Sequence, residues 1–247
     1  MAELRKRFHG ALGAVHDQLM LGGAFVIEAV PRATRILLDM DLEGADLLIQ
    51  ADDEIDSICI DIEERCYQLL ALQAPVASDL RAVIAAIKMA GEIERSADLA
   101  VNICKGARRI YGHELNPKLR GLITKMSEQA QSLFTSAMDS YAEADAAKAA
   151  AIDDMDSFLD DLHRQFIQVI FESNAAGSID LQVAIQLAMI GRFYERIGDH
   201  AVNIGERVRF LVTGWLPEHS GAARHHARMA GDGTPAAGIS TPNPDQT

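Results

Sequence analysis

The residues with the clearest potential for chemistry are two pairs of acids at identical spacing. Glu94 and Asp98 lie four positions apart, and so do Glu195 and Asp199. Residues four apart share one face of a helix, so each pair would present two carboxylates side by side. Like charges at this spacing destabilise a helix, and a partly buried carboxylate costs more unless it is paired. A cation or a basic side chain is therefore expected beside each pair.

Each pair belongs to a longer motif that occurs twice. The motif reads Glu-Arg-x-x-Asp-x-Ala-Val-Asn-Ile at 94–103 and again at 195–204. When 79–110 is aligned with 180–211, an offset of 101, eleven of 32 positions are identical. The duplication predicts two related halves.

Further acids precede each motif. Asp52 and Asp56 have the same four-residue spacing in the first half, as do Asp156 and Asp160 in the second. Asp52 matches Asp153 at an offset of 101, whereas Asp56 matches Asp156 at 100, so we expect a one-residue slip between the halves. Because the pair occurs in both halves, it is stronger evidence for a functional site than a single copy would be.

The chemistry of the acids is open at this point. Oxygen-only donors favour a hard ion such as Mg²⁺, Mn²⁺ or iron over a thiolate zinc site. The spacing is equally compatible with carboxylates that are paired with Arg95 and Arg196 or exposed to solvent. A ferritin-like di-metal oxidase is excluded, because none of the eight histidines has a Glu three residues before it.

Long helices must position these acids. Apolar residues recur at three- and four-residue spacing, and no segment alternates like a strand. Asn116-Pro117 is a typical helix start, Gly177-Ser178 reads as a stop and restart, and Pro31 predicts a kink or a boundary. The predicted helices span 3–39, 43–73, 77–111, 116–142, 145–174 and 178–213.

Three helices in each half form the simplest unit that buries their apolar stripes. We therefore predict an all-α fold of two tandem, pseudo-symmetric three-helix bundles. The predicted domains are 1–113 and 114–216. A tail over 217–247 has almost no large apolar side chains, and we expect it to be disordered.

Composition excludes several classes of function. The 247 residues include 36 acidic and 23 basic ones, and the resulting net charge of −13 argues against binding to nucleic acid. Three cysteines without a Cys-x-x-Cys pair indicate neither a disulfide framework nor a thiolate zinc site, which fits a reducing cytosol. No uncharged apolar run reaches about 18 residues, so we expect no membrane span.

At these motifs the sequence resembles the PhoU family, regulators that accompany the high-affinity phosphate transporter. Besides the two repeated motifs, the resemblance rests on Arg7-Phe8-His9, Gln73-Ala74-Pro75-Val76-Ala77 and Asp79-Leu80-Arg81, and it covers residues 4–213. It implies two similar three-helix bundles with metal ions or multinuclear clusters on Glu/Asp-x-x-x-Asp motifs. The metal ligands that it implies are Glu94, Asp98, Glu195 and Asp199, with Asp52, Asp56 and Asp156 from the second helix of each bundle. The ion, whether Mg, Mn, Fe or Zn, stays open.

The resemblance also implies a function. It suggests a non-enzymatic, cytoplasmic negative regulator of phosphate uptake and of the phosphate-starvation (Pho) regulon. Its partners would be the ATPase subunit of the phosphate ABC transporter and the phosphate-sensing histidine kinase. We expect a homodimer that reaches the membrane only through these partners.

Two other functions are compatible with the residues. One is a metal-binding or structural helical bundle without a signalling partner. The other is a metal-dependent hydrolase that uses the clustered carboxylates. No phosphate-binding glycine loop, nucleophile or general base can be named for a hydrolase.

Overall fold

The computed structural model describes residues 2–215. No strand occurs among these residues, so the predicted all-α class is confirmed. The helices are α1 (Ala2–Asp39), α2 (Leu42–Gln50), α3 (Asp52–Gln73), α4 (Ala77–Arg109), α5 (Pro117–Ala142), α6 (Ala146–Ala175) and α7 (Leu181–Thr213).

The helices form an inner layer of four and two outer positions. Helices α1, α4, α5 and α7 make up the inner layer, in which α1 contacts α4 and α5, and α7 contacts the same two helices. Within the described residues, α3 contacts only α1, α2 and α4, whereas α6 contacts only α5 and α7. We call α3 and α6 the outer helices. Each outer helix therefore belongs to one repeat.

The ends of the helices follow local capping chemistry. Asn116 caps α5 by accepting a hydrogen bond from the Leu119 amide at 2.9 Å, as the Asn-Pro pair predicts. The predicted restart at Ser178 is wrong by about one turn. Asp180 is the N-cap of α7 and accepts from the Val183 amide at 2.8 Å, while the Ser178 hydroxyl donates to the Ser173 carbonyl.

The single helix predicted over 43–73 is two helices. The break falls at Ala51, which closes α2 by donating to the Leu47 carbonyl. Three acids, Asp52, Asp53 and Glu54, open α3, where they favour a helix start because the N-terminal dipole is positive. The break is slight, since Ala51 keeps right-handed helical dihedral angles.

Pro31 produces no boundary, because α1 runs through it without interruption. Proline lacks an N–H, so the carbonyl four residues earlier, that of Ile27, loses its helical donor. The Gln131 side chain on α5 donates to this carbonyl at 3.0 Å. The proline is therefore compensated by a hydrogen bond from the other repeat.

Close approach and buried hydroxyls join the two repeats. A Cβ at Gly23 on α1 would collide with the Met138 side chain on α5. The Thr34 hydroxyl lies 2.7 Å from both the Ser127 hydroxyl and the Tyr194 hydroxyl, which links α1, α5 and α7 inside the core. Tyr194 is fully buried, and this burial raises the pKa of its phenol.

The described residues up to Gly214 form one compact unit. The predicted boundary between 113 and 114 lies in the connection between α4 and α5 and stays a prediction. The predicted disordered tail, 217–247, lies outside the described residues.

One stretch is long and apolar enough to cross a membrane, which the sequence did not predict. It is Arg5–Asp39, with a mean hydropathy of 1.3. Core helices of soluble proteins meet the same criterion, and Val15, Leu19 and Val30 of this helix are fully buried in the core. The stretch by itself assigns no membrane span.

The hydrogen bond from Gln131 to the Ile27 carbonyl generates a test. We expect Gln131→Ala to lower the free energy of unfolding by about 1–3 kcal/mol, because a partly buried carbonyl loses its donor. In a Pro31→Ala background, residue 31 supplies the missing N–H, so the same substitution should cost less there. Urea unfolding of the four proteins measures the difference.

Gln129→Ala is the matched control. Gln129 lies on the same helix and donates to the Met155 carbonyl at 3.0 Å, in a part of α6 without a proline. Its cost should not depend on residue 31. Equal costs of Gln131→Ala in the two backgrounds would contradict the compensation.

Candidate metal centre

The acids predicted as ligands in the first repeat lie along the contact between α3 and α4. Asp52 and Asp56 come from α3, and Glu94 and Asp98 come from α4. We call these four residues the first seam. They are close enough to repel one another, since Asp98 acts on the ionisation of the other three.

The electrostatics of the first seam disfavour charge. Burial raises the pKa of Asp52 to about 6, with further contributions from Asp98 and Asp56 that Lys105 partly offsets. Burial also raises the pKa of Asp56 and that of Glu94. Within residues 2–215, the buried Oδ1 of Asp52 has no hydrogen-bond partner. A bound cation would relieve both the repulsion and the missing contact.

A groove of about 300 Å³ opens at this seam. Asp56, Glu63, Gly91 and Glu94 are among the residues that line it. Cys59 also lines the groove, with its Sγ 3.5 Å from the Ala90 carbonyl, and burial raises the pKa of its thiol to about 12. Cys59 is therefore a small buried side chain and not a reactive thiol.

Arg95, one possible partner of the acids in the sequence, is bound elsewhere. Its guanidinium donates to Glu92 at 2.9 Å. The same carboxylate contacts α7, because His200 Nδ1 lies 2.7 Å and Asn203 Nδ2 lies 3.1 Å from it. Burial alone would raise the pKa of Glu92, but these hydrogen bonds and the Arg95 charge lower it to about 2.

Glu92 is thus an ionised carboxylate between the repeats, and the sequence analysis missed it. At an offset of 101 its counterpart is Phe193, so the repeat gives no signal for it. His200 is 6% exposed and belongs to the second motif, where Leu99 is its counterpart. The only hint of this contact in the sequence is that Glu92 and His200 are polar, whereas their counterparts in the other repeat are apolar.

The second repeat has an equivalent cluster between α6 and α7. Asp156 and Asp160 come from α6, and Glu195 and Asp199 come from α7. We call these four residues the second seam. Burial raises the pKa of Asp156 to about 6, followed in size by repulsion from Asp160 and Asp199. In the described part of the chain, Asp156 Oδ1 and Glu195 Oε2 are buried without a hydrogen-bond partner.

Glycine on α7 permits the close approach of α6. A Cβ at Gly198 would collide with Asp156 Oδ1, and one at Gly191 would lie 3.2 Å from His163 Cδ2. The His163 ring is partly buried, which lowers its pKa, and the nearby Arg192 charge lowers it further. Arg192 itself forms a salt bridge with Glu195.

The register between the seams corrects the expected one-residue slip. Asp52 is repelled by Asp98 and Asp156 by Asp199, so Asp156 is the counterpart of Asp52 at an offset of 104. The slip is therefore three residues relative to the motifs. Asp156 and Asp199 are separated by three fewer residues than Asp52 and Asp98, although the connection over 176–180 is longer than the one over 74–76, so the helical arms between the acids are shorter in the second repeat.

The corrected register adds Asp160 to the residues of interest. It occupies the position of Asp56, although it was not among the predicted ligands. The signal was available, since Asp156 and Asp160 repeat the spacing of Asp52 and Asp56. A constant offset of 101 concealed the correspondence.

The donors fit a hard cation in their chemistry, although they are not gathered around one point. Carboxylate oxygens suit Mg²⁺, Mn²⁺ and iron, and each seam holds a buried oxygen without a partner. In residues 2–215 no three His, Cys, Asp or Glu side chains converge as a ready metal site. The predicted ligand set stays a prediction.

Two helical repeats that each carry an acidic seam define the class of this protein: an all-helical protein built by duplication of one helical unit. The sequence model of the PhoU domain matches residues 20–107 and again residues 123–208. The chain therefore belongs to the PhoU family, which confirms the resemblance.

Curated relatives agree with this assignment. The chain is 37% identical to the phosphate-specific transport system accessory protein PhoU homolog 2 of Mycobacterium tuberculosis, over 87% of this chain and 100% of the relative. It is 37% identical to PhoU homolog 1 of the same organism over 76% and 85%. The PhoU homolog of Zymomonas mobilis is 32% identical over 87% and 91%.

Solved structures support the fold. PhoU from Pseudomonas aeruginosa superposes with a TM-score of 0.79 at 28% identity, covering 84% of this chain and 100% of that one. The phosphate transport system regulatory protein PhoU from Streptococcus pneumoniae gives 0.77 at 27% identity, covering 85% and 98%. The predicted pair of tandem bundles is the fold of these proteins.

The raised pKa of Asp52 predicts a pH dependence of stability. The folded state holds this proton more tightly than the unfolded state, so the free energy of unfolding falls as pH rises from about 4 to about 6. We expect Asp52→Asn to make this fall smaller, since Asp156 contributes a similar one, and to stabilise the metal-free protein at pH 7 by about 1 kcal/mol, a value reduced for solvent screening. Urea unfolding in EDTA across this pH range measures it.

Asp61→Asn is the control for Asp52→Asn, because Asp61 is an exposed acid on the same helix. Its pH profile should match that of the wild type. A profile of Asp52→Asn with the wild-type slope would contradict the assignment.

The contacts of Glu92 predict a pH dependence of stability opposite to that of Asp52. Its pKa is lowered from 4.5 to about 2, so its contribution is present above about pH 4.5 and is lost as pH falls towards 2. We expect Glu92→Gln to lower the free energy of unfolding at pH 7 by about 1–3 kcal/mol, since charge-assisted hydrogen bonds are lost. The difference from wild type should shrink at pH 3, whereas the exposed Glu64→Gln should have little effect at either pH.

Proposed function

We propose that the protein is a negative regulator of phosphate uptake and of the Pho regulon, and that it acts in the cytoplasm as a metal-binding adaptor. The observation that carries this proposal is the PhoU match over both repeats. Relatives that cover most of the chain are named as accessory proteins of a phosphate-specific transport system, and a structural neighbour is named as its regulatory protein.

As partners we propose the ATPase subunit of the phosphate ABC transporter and the phosphate-sensing histidine kinase. An adaptor between them needs separate surfaces, and the two outer helices provide one on each repeat. Exposed apolar side chains such as Phe158 and Phe171 on α6 are available for contact. The protein would reach the membrane through these partners, and we propose a homodimer as the working form.

The seams would hold the metal. Asp52, Asp56, Glu94 and Asp98 would serve in the first repeat, with their counterparts in the second. A bound cation supplies charge neutralisation that ties an outer helix to the inner layer. Because no three His, Cys, Asp or Glu side chains converge within residues 2–215, the ion would keep several water ligands, as Mg²⁺ commonly does.

The proposed role needs no catalysis. Repelling carboxylates with raised pKa values suit cation binding, whereas hydrolysis would also need a positioned nucleophile or base. The alternative is a metal-binding or structural bundle without a signalling partner. Turnover of phosphate esters by the purified protein would favour the hydrolase instead.

The regulatory role is tested with an alkaline-phosphatase-type reporter in phosphate-rich medium. Deletion of the gene should derepress the reporter, and the wild-type gene should restore repression. A variant in which the four motif acids are neutralised should fail to repress if metal binding is needed; its substitutions are Glu94→Gln, Asp98→Asn, Glu195→Gln and Asp199→Asn. Metal content of the purified proteins is measured in parallel.

A matched control removes the same charge from exposed positions. It carries Asp61→Asn, Glu64→Gln, Glu128→Gln and Asp154→Asn, all at exposed sites. This variant should repress normally and keep its metal. If the deletion leaves the reporter silent in a strain without another PhoU protein, the regulatory proposal is wrong. If the seam variant loses metal but represses fully, the metal is structural only.

A further inference from the structure

The two seams have the same type of acid at each of four corresponding positions. They differ at one neighbouring position on the inner helix. Glycine occurs at position 91 of α4, and its counterpart on α7, at an offset of 101, is Arg192. Both positions lie three residues before the motif Glu and seven before the motif Asp. They therefore lie on the helix face that carries the acids.

In the first repeat Gly91 has no side chain, and the Arg95 guanidinium lies beside it, 3.3 Å from where a Cβ would be and close enough to favour the ionised form of Glu94. Gly91 lines the groove of about 300 Å³ together with Asp56, Glu63 and Glu94. The nearest guanidinium, that of Arg95, is bound to Glu92 at 2.9 Å. The groove is thus open and acidic.

In the second repeat the corresponding position carries a positive charge. The Arg192 guanidinium forms a salt bridge with Glu195, and its Nη2 lies 3.9 Å from Asp199 Oδ2. It is also close enough to His163 to act on the ionisation of that ring. One guanidinium therefore faces both motif acids and the outer helix.

A second difference between the seams also makes the second seam less attractive to a cation. At the offset of 104 that relates the outer helices, Glu63 is replaced by Ile167. Compared with the first seam, the second seam therefore has one acid fewer beside it and one more cation, Arg192. Attraction for an added cation falls accordingly, because a nearby positive charge repels the ion and a missing carboxylate no longer attracts it.

We propose that Arg192 is the resident counter-ion of the second seam, so that the two repeats are unequal and the first seam is the one that takes a metal ion. The inference rests on the metal binding proposed above. A metal ion can enter the second seam only when Arg192 leaves Glu195 and Asp199. The buried Glu195 Oε2 is the atom through which a residual, weaker site would act.

The test isolates each seam in the full-length, metal-stripped protein. Glu94→Gln with Asp98→Asn silences the first seam, and Glu195→Gln with Asp199→Asn silences the second. Binding of Mn²⁺ is measured by isothermal titration calorimetry and by the loss of the free-ion signal in electron paramagnetic resonance. We expect the first seam alone to bind at least about tenfold more tightly than the second alone.

Substitutions at position 192 then separate charge from bulk. With the first seam silenced, Arg192→Gln should tighten Mn²⁺ binding about tenfold, whereas Arg192→Lys keeps a cation and should not. With the second seam silenced, Gly91→Arg should weaken binding at the first seam, whereas Gly91→Gln adds similar bulk without charge and should weaken it less. Circular dichroism and urea unfolding establish that each variant is folded.

Equal affinity of the two seams, or equal gains from Arg192→Gln and Arg192→Lys, would overturn the proposal. Failure of the first seam to bind Mn²⁺ in the wild type would instead reject the metal-binding part of the proposed function. In that case urea unfolding in EDTA decides the role of Arg192, because a resident counter-ion predicts that Arg192→Gln destabilises the protein more than Arg192→Lys does. The two failures are therefore distinguishable.

Discussion

The packing of α4 against α7 determines where everything else in this protein lies. These two helices carry the duplicated motif, and each presents one face to the other repeat and another face to its own outer helix. A Cβ at Gly106 would come within 2.9 Å of the Ile190 side chain, which shows how closely they approach at one end. Because the inner contact is fixed, the motif acids must face outward, towards α3 and α6.

The same contact contains a buried, charged polar interaction between the repeats. Glu92 binds Arg95 within its own helix and His200 and Asn203 across the contact. A carboxylate that is largely shielded from water is tolerated only with such partners. Glu92 also holds Arg95, whose charge still acts on Glu94 of the first seam. The contact between the repeats thus influences the charge of a site on the outer side of the helix.

Much of this arrangement follows from the sequence, and the exceptions have physical causes. Helix content, the paired acids and the duplication were predictable, because helical periodicity and four-residue spacing are local properties. The pairing of outer with inner helices was not, since the acids of the second repeat are three residues closer in sequence and a constant offset matches Asp52 to the wrong residue. Glu92 and Gln131 were also missed, because their partners are distant in sequence and neither belongs to a repeated motif.

The position of α3 and α6 at the edge of the molecule has a consequence for dynamics. Each outer helix is held by neighbours of its own repeat only, whereas the inner helices are held from both repeats. Regions with fewer packed neighbours open locally at lower cost than the global unfolding free energy. The backbone amides of α3 and α6 should therefore exchange with solvent before those of α4 and α7. A cation bound at a seam would then slow the amide exchange of the outer helix in that repeat. It would leave the slow exchange of the inner layer unchanged.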